Sequence, residues 1–157
     1  MKLLVSAIDP NRLCRIRTAG CDEAGNPLVA FSASGWEPLR CCLRRPDAGE
    51  LIALISYSPF VVPSAWAETG PVFVHAEQCS GYGATESLPD ELRTGPRILR
   101  TYYADGSLDY ADITVVREGE DIEESLFDLL SRSEVAVVHV RALVAQCFTY
   151  AVTRQLW

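Results

Sequence analysis

Lysine is almost absent from this sequence of 157 residues. Lys2 is the only lysine, so nearly all of the 14 basic residues are arginines, and the 21 acidic residues give a net charge of −7. Proteins that bind nucleic acid through its phosphates need an excess of basic residues. We therefore expect no nucleic-acid partner. The arginines instead favour forked contacts with single carboxylates or phosphates.

Long apolar runs are also missing. No segment approaches the roughly 20 consecutive apolar residues that a membrane helix requires. The opening MKLLVSAIDPN has an apolar run shorter than a signal-peptide core, and Asp9 and Pro10 follow it in place of a cleavage site. This start predicts a first strand. We also expect a cytoplasmic protein that has no membrane partner.

The six cysteines include no C-x-x-C pair. That absence argues against zinc ribbons and thioredoxin-like redox motifs. Cys41 and Cys42 are adjacent, which rarely suits a bridge between them, and a chain of this length buries enough surface to fold without disulfides. We expect most of the cysteines to be small buried hydrophobic residues, and we expect no cofactor.

The apolar pattern predicts one domain, residues 1–157, of the α+β class, with two helices and a largely antiparallel sheet of about eight strands. One helix spans residues 11–19, because Asp9 can cap its first amides and Gly20 can end it. The other spans residues 122–131 and has acidic residues in its first turn. Strands are expected at 3–8, 39–43, 51–57, 71–76, 97–103, 108–116, 135–141, 147–154 and, with a less regular pattern, 28–32. The segments 39–43 and 51–57 form a hairpin in this prediction.

Five blocks of the sequence resemble one protein family. They are PLRCCL (38–43), LISYSPF (54–60), AETGPVFVHAEQC (67–79), LRTYYADGSLDYA (99–111) and VHVRALVAQCFTYAVTR (138–154). In this order they resemble the family called domain of unknown function 1203. The first block of that family has an arginine between two cysteines. Here Arg40 and Cys42 match, Leu39 stands at the first cysteine, and Cys41 is a local variation. The resemblance implies a small bacterial-type soluble protein and assigns no activity.

Strand alternation predicts which side chains share a face of the sheet. Four of the expected strands each present polar, ring-bearing or thiol side chains opposite an apolar face. If those four faces coincide, they form one pocket. Its residues are Arg40, Cys42, His75, Arg100, Tyr102, His139 and Arg141, and Glu68 closes it from the loop before a strand. The alternative is that these side chains occupy the solvent-exposed face of an antiparallel sheet.

The arginines of such a pocket would bind a small anionic molecule by forked hydrogen bonds, with His75 as a general base if a reaction occurs. In a second interpretation, Cys42 is a nucleophile that a histidine activates and Arg40 assists. Whether the protein is an enzyme stays open. The alternative function is a non-enzymatic interaction or homodimerisation module, with Trp157 at a subunit contact.

A third interpretation is a metal site of two histidines and one carboxylate. Its ligands would be His75, His139 and either Glu68 or Glu77, with Cys79 as an added ligand. On one straight strand, His75 and Cys79 would lie roughly 13 Å apart. Both can bind one ion only if the chain turns between them, so the sequence by itself assigns no metal.

Overall fold

The computed structural model describes residues 1–60 and 63–155, and within these ranges the chain forms two helices and eight strands. In chain order they are β1 (Lys2–Ser6), α1 (Pro10–Ala19), β2 (Phe31–Ser32), β3 (Leu51–Tyr57), β4 (Gly70–His75), β5 (Arg97–Tyr103), β6 (Thr114–Val116), α2 (Ile122–Ser131), β7 (Val135–Ala142) and β8 (Phe148–Gln155). The predicted α+β class is confirmed. No helix within the described ranges is long and apolar enough to cross a membrane. Trp157, expected at a subunit contact, lies outside these ranges.

The strands form two antiparallel sheets. The larger sheet has the order β1-β8-β7-β5-β6, and the smaller sheet has the order β2-β3-β4. One face of the larger sheet packs on α2, where Leu99, Val138 and Val140 lie in one core with Leu126 and Leu130 of the helix. This burial of apolar side chains holds the helix on the sheet.

A second core lies between the smaller sheet, α1 and β8. Leu13 of α1 and Ile52 of β3 are almost fully buried there, together with Phe148 of β8. Phe148 therefore belongs to the larger sheet but packs in the core of the smaller one. The face of the larger sheet opposite α2 is consequently turned toward the smaller sheet, and that face carries Arg100 and Arg141.

Both helices agree with the prediction to within one residue at their ends. In α1, the Asp9 carboxylate accepts a hydrogen bond from the N–H of Asn11 at 2.9 Å. Gly20 has a left-handed backbone (φ 70°) and donates its N–H to carbonyls of the last turn. In α2, the Asp121 carboxylate accepts from the N–H of Glu123 at 2.8 Å. These caps satisfy amides that a helix end leaves free, which is why the sequence locates the boundaries well.

The predicted strand over residues 39–43, and its hairpin with β3, are wrong. The segment is a turn in which Leu43 donates its N–H to the carbonyl of Leu39 at 3.0 Å, and Leu43 has a left-handed backbone (φ 55°). The buried side chain of Arg40 holds the turn, because its Nε donates to the carbonyl of Phe148 at 2.7 Å. β3 pairs with β2 and β4 instead.

The predicted return strand over residues 108–116 is shorter and covers only Thr114–Val116. The residues before it turn around Asp109, whose carboxylate accepts from the N–H of Ala111 at 3.2 Å and pairs with Arg132 at 2.7 Å. Hydrogen bonds of this local kind compete with the strand ladder and shorten it.

Candidate functional site

The eight residues that the sequence places in one pocket are divided between two sites and a buried remainder. The first site, which we call the arginine cavity, is formed around Glu68, Arg100 and Arg141. The second, which we call the thiol–imidazole cluster, consists of Cys41, Cys42, His75 and Cys79. The remainder is Arg40, Tyr102 and His139. The expected pocket divides for two reasons: residues 39–43 are a turn, so strand alternation does not apply to Arg40 and Cys42, and β4, which carries His75, belongs to the smaller sheet, whereas β5 and β7 belong to the larger one.

Arg100 and Arg141 reach the same face of the larger sheet because β5 and β7 pair side by side. Ile98 is opposite Arg141, and Arg100 is opposite His139, so the two arginines are diagonal neighbours across the pair. The alternate residues of these strands, such as Leu99, point toward α2. The alternation read from the sequence therefore places both guanidinium groups correctly.

The two guanidinium groups converge on one carboxylate. Arg100 Nη1 lies 2.5 and 2.6 Å from the two carboxylate oxygens of Glu68, and Arg141 Nη2 lies 2.7 Å from Oε2. Gln146 accepts two further bonds: its backbone carbonyl accepts from Arg141 at 2.9 Å, and its Oε1 accepts from Arg100 at 3.3 Å. Because two cations face one anion, the group keeps one net positive charge.

The three charged residues differ in their exposure to solvent. The side chain of Arg141 is 8% exposed and that of Arg100 19%, whereas Glu68 is 44% exposed. The sheet therefore holds both arginines in place, while Glu68 comes from the loop before β4 and faces solvent. Burying cations without a counter-ion is costly. The position of the Glu68 carboxylate thus marks where this site stabilises an anionic group.

A cavity of about 360 Å³ opens beside these three residues. This volume falls at the lower end of the range for small-molecule sites. Besides the charged residues, its wall consists of Tyr57, Pro59, Thr69, Gly70, Pro71, Ala145, Gln146, Cys147 and Phe148. One part of the wall is cationic and another is apolar or aromatic, which suits a small molecule with one anionic end.

His139 and Tyr102 are buried in the sheet next to the arginines, and neither side chain is part of the cavity wall. Their ring centres lie 4.5 Å apart, and His139 also meets Phe60 and Phe148 edge-on. Burial, together with the positive charges of the two arginines, lowers the pKa of His139 to about 3. The ring is therefore neutral near pH 7, and its Nδ1 has no hydrogen-bond partner among the described residues. In this geometry His139 packs rather than exchanging protons with a ligand.

Arg40 is also buried, and it contributes neither to the wall of the cavity nor to the cluster. Burial lowers its pKa to about 10. Its guanidinium group donates to the carbonyls of Phe148 and Pro38 and so ties the turn at residues 39–43 to β8.

The thiol–imidazole cluster joins three segments of the chain. β4 ends at His75, the backbone bends directly after it, and Cys79 returns to the imidazole ring, so the turn that a shared site requires is present. Cys41 and Cys42 come from the turn at residues 39–43. Their sulfurs lie 3.8 Å apart, and they lie 3.4 and 3.7 Å from His75 Nδ1. All four ligand atoms lie within 4.8 Å of one another.

A backbone amide points at one of the three sulfurs. The N–H of His75 donates to Cys41 at 3.3 Å. Hydrogen bonds of this kind stabilise a thiolate. Among the thiols, the bond that Cys41 donates to Cys42 raises the pKa of Cys41 to about 11 and lowers that of Cys42. The hydrogen bond between Cys79 and Cys41 raises the pKa of Cys79 to about 12.

The other nitrogen of the His75 ring faces an ion pair. Nε2 lies 3.2 Å from Arg44 Nη2 and 3.6 Å from Glu50 Oε1, and these two side chains are 2.7 Å apart. The pair borders the outer side of the imidazole ring, whose Nδ1 is directed toward the sulfurs. A cluster of this composition could hold a metal ion.

Sequence reasoning missed the composition of this cluster. It treated Cys41 as a local variation and Cys79 as an optional ligand, and it expected His139 and a glutamate as partners of His75. Among the described residues, neither His139 nor a predicted glutamate belongs to the group. The absence of a C-x-x-C motif excludes only sites built on that spacing. The spacing His-x-x-x-Cys at the end of a strand was the signal that pointed to this site.

Comparison with known proteins identifies the family. A family model described as "Protein of unknown function (DUF1203)" matches residues 36–154, a range that contains the arginine cavity and the thiol–imidazole cluster. No curated protein and no solved structure matches the chain. The family model covers well over half of the sequence. The chain therefore belongs to the DUF1203 family, whose function is unknown.

Proposed function

We propose that this protein binds a small carboxylate- or phosphate-bearing molecule in the arginine cavity. The observation that carries the proposal is the convergence of Arg100 and Arg141 on the single carboxylate of Glu68. Guanidinium groups match the planar oxygens of carboxylates and phosphates through parallel hydrogen bonds. The ligand places its anionic group at the position of the Glu68 carboxylate or directly beside it.

The charge balance of the site supports an anionic ligand. The whole chain has a net charge of −7, yet this group retains one positive charge. The Nε atoms of Arg100 and Arg141 are buried and have no hydrogen-bond partner among the described residues. A buried donor without a partner costs about 1–3 kcal/mol, and more when it is charged. The two guanidinium groups therefore have more donors than the acceptors around them, which favours an additional anionic acceptor at this site.

The shape of the site supports a small ligand. The cavity holds about 360 Å³, and Tyr57, Pro59 and Phe148 supply an apolar side. A ligand with a short apolar or weakly polar body beyond its anionic group uses both kinds of wall. His75 and Cys42 do not line this cavity, so the proposal gives them no part in it, and it includes no reaction.

The test uses inorganic phosphate and succinate as probes. Each is titrated into the isotope-labelled full chain, and NMR shifts of backbone amides and arginine Nε–H groups are followed. We expect shifts concentrated at the cavity, and at least tenfold weaker binding for Arg100→Gln and Arg141→Gln. The matched control is Arg117→Gln, because Arg117 is 76% exposed and lies in a surface ion pair. Its affinity for both probes stays that of the wild type.

Two results overturn the proposal. One is the absence of binding of both probes to the wild type at millimolar concentration, where a site with a binding free energy of about −4 kcal/mol is half occupied. The other is equal affinity of Arg100→Gln and Arg117→Gln. Homodimerisation, a cytoplasmic location and the lack of a nucleic-acid partner stay predictions from the sequence.

A further inference from the structure

We propose that Cys41, Cys42, His75 and Cys79 bind one zinc ion in a tetrahedral site that holds three segments of the chain together. The proposal is independent of anion binding, since no member of the cluster lines the arginine cavity.

Three distances within the cluster are close to those of a tetrahedral zinc site. Zn–S bonds are about 2.3 Å and Zn–N bonds about 2.0–2.1 Å, which places two sulfurs about 3.8 Å apart and a sulfur and a nitrogen about 3.6 Å apart. The two sulfurs of Cys41 and Cys42 are 3.8 Å apart, and they lie 3.4 and 3.7 Å from Nδ1 of His75. The Cys79 sulfur lies within 4.8 Å of the other three ligand atoms and so belongs to the same group.

The chemistry of the ligands selects zinc among common ions. Calcium and magnesium prefer oxygen ligands, whereas three thiolates with one imidazole suit zinc. Because four protein ligands fill a tetrahedral shell, no open position remains for a reactive water. The site is therefore structural rather than hydrolytic.

The surroundings of the cluster suit the bound state. Three thiolates, one neutral imidazole and Zn²⁺ carry one net negative charge. Arg17 donates to the carbonyl of His75 at 2.9 Å, and Arg44 lies 3.2 Å from Nε2, so two cations adjoin this charge. With the metal on Nδ1, Nε2 carries the proton, and its nearest acceptor is Glu50 Oε1 at 3.6 Å, slightly beyond hydrogen-bond distance. A carboxylate beyond the free imidazole nitrogen is the usual outer partner of a metal-bound histidine.

Zinc at this position compensates for missing regular structure. Residues 76–96, which follow β4, contain neither a helix nor a strand. A segment of this length without hydrogen-bonded elements is uncommon in a compact fold. The ion fixes its beginning to the end of β4 and to the turn at residues 39–43. On binding, Zn²⁺ replaces the thiol protons, which pass to solvent, and the free energy of binding contributes to folding.

The first experiment measures metal content. The full chain is purified under reducing conditions without a chelator and analysed by elemental mass spectrometry. We expect about one zinc per chain in the wild type, and loss of most of it in Cys79→Ser and His75→Asn. The matched control is Cys21→Ser, because Cys21 is a half-buried thiol outside the cluster. It retains zinc.

The second experiment reports the geometry of the site. Cobalt(II) added to metal-free wild type is expected to give the strong visible absorption of tetrahedral coordination and a near-ultraviolet band from thiolate-to-cobalt charge transfer. That band falls by about a third in Cys42→Ser, because one of three thiolates is lost. Zinc also protects three of the six thiols of the wild type from a thiol reagent. The wild-type spectrum and the thiol count keep the proposal testable if the variants fail to fold.

Several outcomes overturn the proposal. They are a weak octahedral cobalt spectrum, equal zinc content in Cys79→Ser and Cys21→Ser, six reactive thiols with and without zinc, and iron or copper in place of zinc. None of these outcomes changes the expected binding of phosphate at the arginine cavity, so the two proposals fail separately.

Discussion

Glu68 Oε2 lies 2.7 Å from Arg141 Nη2, and this ion pair joins the loop before β4 to strand β7 of the other sheet. The carboxylate is 44% exposed, whereas the arginine is 8% exposed. The anion is therefore the exposed partner and the cation is the buried one. Glu68 is in consequence an internal competitor for any anion that enters the arginine cavity.

Replacement of Glu68 by Gln is expected to strengthen phosphate binding. The amide keeps the shape of the side chain but does not compete for two guanidinium groups. We expect the affinity for phosphate to rise about tenfold, equivalent to about 1.4 kcal/mol, as measured by NMR titration. Glu86→Gln is the control, since Glu86 is exposed and pairs with exposed Lys2 at the surface. Weaker binding by Glu68→Gln would show that Glu68 contacts the ligand instead of competing with it.

Replacement of His139 by Phe is expected to reduce the loss of stability in acid. The pKa of His139 is about 3 in the folded chain and about 6.5 in the unfolded chain. Between these values only the unfolded chain binds the proton, so the free energy of unfolding falls by about 1.4 kcal/mol per pH unit as the pH decreases. The full contribution is present above about pH 6.5 and is lost as the pH approaches 3.

Urea unfolding at pH 7 and pH 5 measures this effect. The wild type is expected to lose about 2 kcal/mol more than His139→Phe between the two values. Carboxylates elsewhere titrate in both proteins and cancel in the comparison. Equal losses would contradict a buried neutral His139.

Replacement of Arg40 by Met is expected to lower stability without weakening phosphate binding. The carbonyl of Phe148 loses its buried donor, which costs about 2–3 kcal/mol in the free energy of unfolding. The apolar part of the side chain is retained. Arg45→Met is the control, because Arg45 is exposed and substitutions at such positions stay within about 0.5 kcal/mol. A loss of phosphate affinity as large as that of Arg100→Gln would place Arg40 in the binding site.

Removal of zinc is expected to lower the melting temperature of the wild type. Zinc at about 1,000 times its dissociation constant stabilises the folded state by about 4 kcal/mol, and each kcal/mol shifts the midpoint by about 2–4 °C at this chain length. We therefore expect scanning calorimetry to show a decrease of roughly 10 °C in the melting temperature when a chelator is added. Cys79→Ser shows no such decrease. Identical melting of the wild type with and without chelator would contradict a structural ion.

The elements that the sequence predicted well are those whose signals are local. Asp9 caps the first turn of α1 and Gly20 caps its last turn, so local contacts set both ends of the helix. Alternation along β5 and β7 placed Arg100 and Arg141 on one face, because the side-chain period of two holds in any strand. The turn at residues 39–43 failed to follow its apolar pattern, since the carbonyl of Phe148, far along the chain, holds Arg40 inside.

The amino-acid sequence by itself determined the α+β class, the two helices and the faces of the strands, because caps and periodicity act between near neighbours. It also determined which chemistry was available, namely many arginines, two histidines and six thiols. Only the tertiary structure decided which of these groups meet. Glu68 reaches Arg141, and Cys79 reaches Cys41, through the packing of two sheets and a bend after His75. Such contacts depend on the relative placement of distant segments, which no local pattern encodes.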